Sequence, residues 1–98
     1  MPPETLTLEV VVFEIPGVDR ARELSELLAE ERLTWVERGE GIGRVVVLLR
    51  PDEGDLAALM RTTEQWVADR HLFAIRFSLD GRDYVLEAGD AIWPAAAA

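Results

Sequence analysis

Few residues in this 98-residue chain have the types that do chemistry, and their spacing serves it poorly. The single histidine, His71, stands in "DRHL", where a helical pattern ends. A zinc set would need further His or Cys ligands, and the chain has no cysteine and no second histidine. Histidine near a helix C-terminus is favoured by the helix dipole alone, so a solvated or structural role is expected. Ser25 and Ser78 have no His and acid beside them in a recognisable pattern, which argues against a hydrolytic triad. Without cysteine there are no disulfides and no thiolate catalysis.

Carboxylates are plentiful, so a pair of them carries little information. Glu30 and Glu31 read as a solvated helix end, and Asp52, Glu53 and Asp55 as a capped loop. The stretch "DGRDYVLEAGD" lacks the alternating oxygen ligands that a calcium loop places ahead of its glycine. "GEGIG" lies between two strand-like runs and not before a helix, and Glu40 inside it would repel an anion, so a turn is expected and not a phosphate cradle. No catalytic residue, cofactor or metal is expected.

Charge removes further classes. With 19 acidic residues against 10 basic ones, all arginine, the net charge of −9 opposes approach to nucleic acid and to anionic membranes. The longest apolar run, "VVVLL", falls far short of the roughly 18 residues that a membrane span needs. The N-terminus lacks the basic start and apolar stretch of a secretory signal, so a cytoplasmic location is expected.

The elements that would have to position any site are better marked. "LTLEVVVFEI" (6–15) is rich in β-branched residues and stops at Pro16-Gly17, which predicts a strand. From Asp19, a candidate N-cap, Ala21, Leu24, Leu27 and Leu28 fall at helical spacing. "LTWVER" (33–38) and "RVVVLLR" (44–50) flank the glycine-rich turn as a hairpin. Asp55 is placed to cap a second helix with Leu56, Leu59, Met60, Thr63 and Val67 inward and Trp66 at the flank. The final pair of strands turns at Asp80-Gly81, a type I′ dipeptide; with Leu79 and Arg82 flanking it, Phe77 faces Tyr84 and Ile75 faces Leu86.

This order predicts an α+β fold: a ferredoxin-like βαββαβ sandwich with an added C-terminal strand, an antiparallel sheet carrying both helices on one face. One domain spans 1–98, with 1–5 and 94–98 as flexible ends. In this topology the first and third strands are central, and both are apolar on both faces. Helices cover only one face, so the other is left as an apolar patch unless a partner buries it. Val11, Phe13, Val46 and Leu48 are expected there, with Ile15 in phase and Trp35 on the edge strand. Burying four such side chains would contribute on the order of 6 to 12 kcal/mol before the costs of association.

Two resemblances add to this reading. "VVFEIPGVDRARELSELLAEERLTWVE" resembles the first half of an ACT domain, a ferredoxin-like regulatory module whose Pro-Gly loop joins the first strand to the first helix and contacts an amino acid. The resemblance implies a ligand loop at Glu14, Pro16 and Gly17. Glu14 and Asp19 depart from the family's usual Asp or Asn before the proline and Leu after the glycine. "WVADRHLFAIRFSLDGRDYVLEAGD" is similar to the effector-associated constant component domains of actinobacterial conflict systems, which implies a non-catalytic, partner-dependent role. The expected function is a non-enzymatic interaction or assembly module, acting as a homodimer or as a small subunit of a larger system. An amino-acid sensor of ACT type is the alternative. A small dimeric α/β-barrel enzyme comes third, for want of an acid-base pair.

Overall fold

The computed structural model describes residues 9–50 and 54–87. Its elements are β1 (Val10–Pro16), α1 (Val18–Leu28), β2 (Thr34–Arg38), β3 (Ile42–Leu48), α2 (Asp55–Asp69), β4 (Ala74–Leu79) and β5 (Arg82–Glu87). The strands form one antiparallel sheet in the order β2-β3-β1-β4-β5. This is the ferredoxin-like βαββαβ arrangement with β5 added at one edge, as the sequence predicts. The ends expected to be flexible (1–5 and 94–98), and the first residues expected in β1 (6–8), lie outside the described residues.

Alternation in the strands decides what the helices cover. Val11, Phe13 and Ile15 of β1 pair with Val47, Val45 and Gly43 of β3. These side chains join Ala21, Leu24 and Leu28 of α1 and Leu59 and Val67 of α2 in one core, all essentially inaccessible to solvent. Val11, Phe13 and Ile15 were expected on the uncovered face; the structure corrects this, because all three are 0% exposed beneath the helices.

Two caps also differ from expectation. Gly17 occupies the N-cap position of α1 at φ 97°, and its carbonyl accepts the Ala21 N–H at 3.1 Å. Asp19 lies in the first turn, exposed, 4.0 Å from Arg22, and caps nothing. At α2 the N-cap is Gly54, φ 88°. Asp55 is buried and points back to the α1–β2 connection: Arg32 Nε and Nη2 donate to its two oxygens at 3.1 and 2.7 Å, and the Arg50 backbone N–H donates at 2.9 Å. A carboxylate in the first turn still favours the helix dipole, but here its acceptors close a tertiary contact.

The terminal hairpin has the expected register, Phe77 to Tyr84 and Ile75 to Leu86, with φ of 58° at Asp80 and 76° at Gly81 as a type I′ turn requires. Gly43 does not belong to the turn where its sequence context puts it. It sits inside β3, and a Cβ there would lie 2.4 Å from the Ala21 Cβ, so its missing side chain is what lets α1 approach the sheet.

Candidate interaction surface

The face of the sheet away from the helices is built by the other alternation phase. From β2 to β4 one row reads Trp35, Val46, Val12, Ser78, each residue the cross-strand partner of the next. Beside it Leu48 pairs with Val10, and the Leu33 carbonyl accepts the Leu48 N–H at 3.0 Å, which carries this apolar row to the β2 edge. Leu33 is 64% exposed, Trp35 39% and Val10 36%. Val12 and Leu48 are half-buried, whereas Val46, boxed in by its neighbours, keeps only 6%.

On the other side of the Trp35 row the character changes abruptly. Glu37, Arg44, Glu14 and Arg76 are successive cross-strand partners and alternate in sign across four strands. Arg44 Nε lies 3.9 Å from Glu14 Oε2, with both side chains about two-fifths exposed. Trp35 Nε1 donates to Glu37 Oε2 at 3.3 Å, joining the apolar row to the charged one. Such pairs contribute little individually in water, so their arrangement matters more than their strength.

The six residues expected to form an interface therefore separate by face. Trp35, Val46 and Leu48 lie together on the open face; Val11, Phe13 and Ile15 lie beneath the helices. Val10, Val12 and Leu33 complete the surface and were missed. A signal for them existed: Val10 and Val12 are in phase with Glu14, and Val46 and Leu48 with Arg44, and a charged residue in phase marks the strand face that meets solvent.

The three residues of the expected ligand loop have separate surroundings. Glu14 projects on the open face toward Arg44, Pro16 is exposed at the end of β1, and the Gly17 N–H donates to the Gly41 carbonyl at 3.2 Å. The loop's backbone donor is thus engaged by the β2–β3 turn.

Elsewhere the polar groups serve the scaffold. Arg70 Nε donates to Glu23 Oε1 at 2.7 Å, and the Arg20 guanidinium donates to the Arg70 carbonyl at 3.2 Å, tying the end of α2 to α1. The Arg70 guanidinium also lies 6.0 Å from the centre of the Trp66 ring. Its hydrogen bonds hold the Glu23 carboxyl below the ordinary carboxylate range. Asp55 is likewise held low, chiefly by Arg32 and against the opposing effect of burial. Trp66 Nε1 is buried and closes no hydrogen bond among the described residues. Leu27, Gln65, Trp66 and Arg70 line an open groove of about 530 Å³ between the helices. A smaller recess of about 270 Å³ lies where α2 meets the last hairpin, against Met60, Phe77 and Tyr84, the two rings stacked at 5.2 Å. His71, at φ 59° just past α2, is exposed and donates its backbone N–H to the Ala68 carbonyl at 3.0 Å, a helix-ending role.

Among the described residues no group of three or more His, Asp or Glu side chains is placed to hold a metal ion, and no helix is long and apolar enough to cross a membrane. Comparison of the chain with protein-family models, with curated proteins and with solved structures gave no match.

Proposed function

We propose that this protein is a non-catalytic assembly module that self-associates through the open face of its sheet. The observation that carries the reading is the continuous apolar surface of Leu33, Trp35, Val46, Leu48, Val10 and Val12, spread over three adjacent strands with nothing from the described chain over it. Monomers commonly show single exposed apolar side chains; a contiguous set on a flat sheet face is what an interface leaves behind when its partner is removed.

Magnitudes are consistent with a weak, reversible dimer. The four strands β2, β3, β1 and β4 give a face on the order of 400 Å² in projection, from the strand spacing and rise, so two such faces together cover roughly 800 Å², the range of weak, reversible interfaces. Leu33, more than half exposed, would contribute roughly 1 to 2 kcal/mol on burial, and Trp35 a similar amount. Val46 adds shape and little energy, because most of its surface is already covered. A non-enzymatic role is supported by what the perturbed carboxyls do: Asp55 and Glu23 are both occupied by arginines that join secondary-structure elements.

Sedimentation equilibrium on the full chain at 1 to 100 μM, on the order of the affinities such areas support, tests the reading. A mass approaching twice that of one chain is expected. A mass of one chain across the whole range, the open face being covered by the chain itself or meeting no second copy, overturns it.

A further inference from the structure

The charged row on the open face carries more information than its strength does. Read across the sheet it is Glu37, Arg44, Glu14, Arg76: minus, plus, minus, plus, with no net charge in a chain that carries −9 overall. Reversed, the row reads plus, minus, plus, minus. A four-membered alternating row is therefore complementary to its own reverse, and this restricts how two copies can meet.

Two sheets packed face to face about a two-fold axis have that axis lying between the layers. Suppose first that it runs across the strands. The order of the strands is then kept and the rows are inverted. Where the charged rows coincide, Glu37 meets Glu37 of the second copy and Arg44 meets Arg44; where they do not, the charges lie over Trp35, Val46 and Val12 and lose water without gaining a partner. Suppose instead that the axis runs along the strands. Each row then meets itself reversed. With the axis between β1 and β3, Glu37 faces the second copy's Arg76 and Arg44 faces its Glu14, each of them twice over. The same operation sets Val46 against Val12 and Leu48 against Val10. An axis between β2 and β3 would make only Glu37–Arg44 pairs, and one between β1 and β4 only Glu14–Arg76 pairs; each leaves the other two charges of the row without an opposite charge.

We infer that two copies associate open face to open face about a two-fold axis along the strands between β1 and β3, and that the Glu37–Arg44–Glu14–Arg76 row selects this register. The inference rests on the self-association proposed above and adds the geometry. The overlap covers the four strands that carry the row, and β5, with Val85 on the same face, lies outside it.

Glu37 and Arg76 provide the discriminating test, because within one chain they are separated by β3 and β1 and do not touch, whereas across the inferred axis they are opposite. Both are exposed, so Glu37→Arg and Arg76→Glu leave the fold intact, which circular dichroism checks. Alone, each variant places like charges together twice per dimer and is expected to weaken self-association about tenfold. Mixed in equal amounts, the two restore both pairs in a heterodimer of wild-type affinity, within about threefold, read by sedimentation with one variant fluorescently labelled. A wild-type dimer whose strength neither variant changes, or a mixture no tighter than either variant alone, overturns the register and leaves self-association standing. A wild-type chain that stays monomeric overturns both, and the two failures are told apart by that first measurement.

Discussion

Arg32 and Asp55, 23 residues apart in the chain, meet in a two-point ion pair whose side chains are only 4% and 6% exposed. The pair joins the connection after α1 to the first turn of α2, and the Arg50 backbone N–H completes the carboxylate's shell at 2.9 Å. It is the one place where the described scaffold buries full charge. Removing one partner leaves the other desolvated and unpaired, which typically costs about 3 kcal/mol or more. Asp55→Asn is therefore expected to lower the midpoint of thermal unfolding by at least about 10 °C in a domain of this size. Arg32→Met with Asp55→Leu should cost less than Asp55→Asn alone, because both charges leave together. Thermal and urea unfolding of the two variants beside the wild type measures this; a double variant as damaged as the single one would deny the pair its role.

The same pair sets an acid limb. Asp55 is held below the ordinary carboxylate range, first by the Arg32 hydrogen bonds. A group with a lowered folded pKa contributes stability that is fully present above its unfolded value, about 3.9, and is lost as pH falls through the folded value. Wild-type stability should therefore hold from neutrality to about pH 5 and decline below about pH 4, with a shallower decline in Asp55→Asn, which has no such group to titrate. Glu23 is also held low, by Arg70, and its side chain is 43% exposed, so its share of the decline is smaller. Unfolding midpoints from pH 7 to pH 2 of the two proteins decide the matter; parallel curves would contradict the assignment.

Gly43 and Ala21 test how closely α1 approaches the sheet. A methyl group at position 43 would stand 2.4 Å from the Ala21 Cβ, well inside contact distance, and the strand and helix would have to part. Gly43→Ala is expected to destabilise by about 1 to 3 kcal/mol, as overpacking does. Ala21→Gly on that background should return part of the loss despite its own helix-propensity cost of about 1 kcal/mol, because it reopens the space. A double-mutant cycle by urea unfolding gives the coupling; strict additivity would mean that the clash relaxes elsewhere.

Most of the topology was legible because each element carries a local signal: Pro16-Gly17 stops a strand, Asp80-Gly81 makes a type I′ hairpin, and helical spacing marks α1 and α2. What was illegible came from contacts between distant residues. Asp55 reads as a cap because its local context is that of a cap, and only the fold brings Arg32 to it. Gly43 reads as a turn residue because its neighbours are glycines, and only α1 shows why it must lack a side chain. The face assignment of β1 failed for a subtler reason. Val10, Val12 and Glu14 form one phase and Val11, Phe13 and Ile15 the other, and hydrophobicity alone nearly balances them. The single charge at Glu14 breaks the tie, and it pairs with Arg44 on the open side.

That one-residue parity makes the sharpest prediction about the interface, because neighbours on β1 should fail in different ways. Phe13 is 0% exposed and packs 5.7 Å from the Phe77 ring, so Phe13→Asp buries an unpaired charge in the core and is expected to abolish folding. Val12 is half-buried on the open face between Val46 and Ser78. Val12→Asp should keep the circular dichroism spectrum and most of the unfolding enthalpy of the wild type while losing self-association by at least about tenfold, because the new charge must be desolvated in the dimer and remains wet in the monomer. Spectra of both variants and sedimentation of Val12→Asp check the pair of outcomes. A folded Phe13→Asp protein would contradict the placement of the core, and a Val12→Asp protein that dimerises like the wild type would move the interface off the open face.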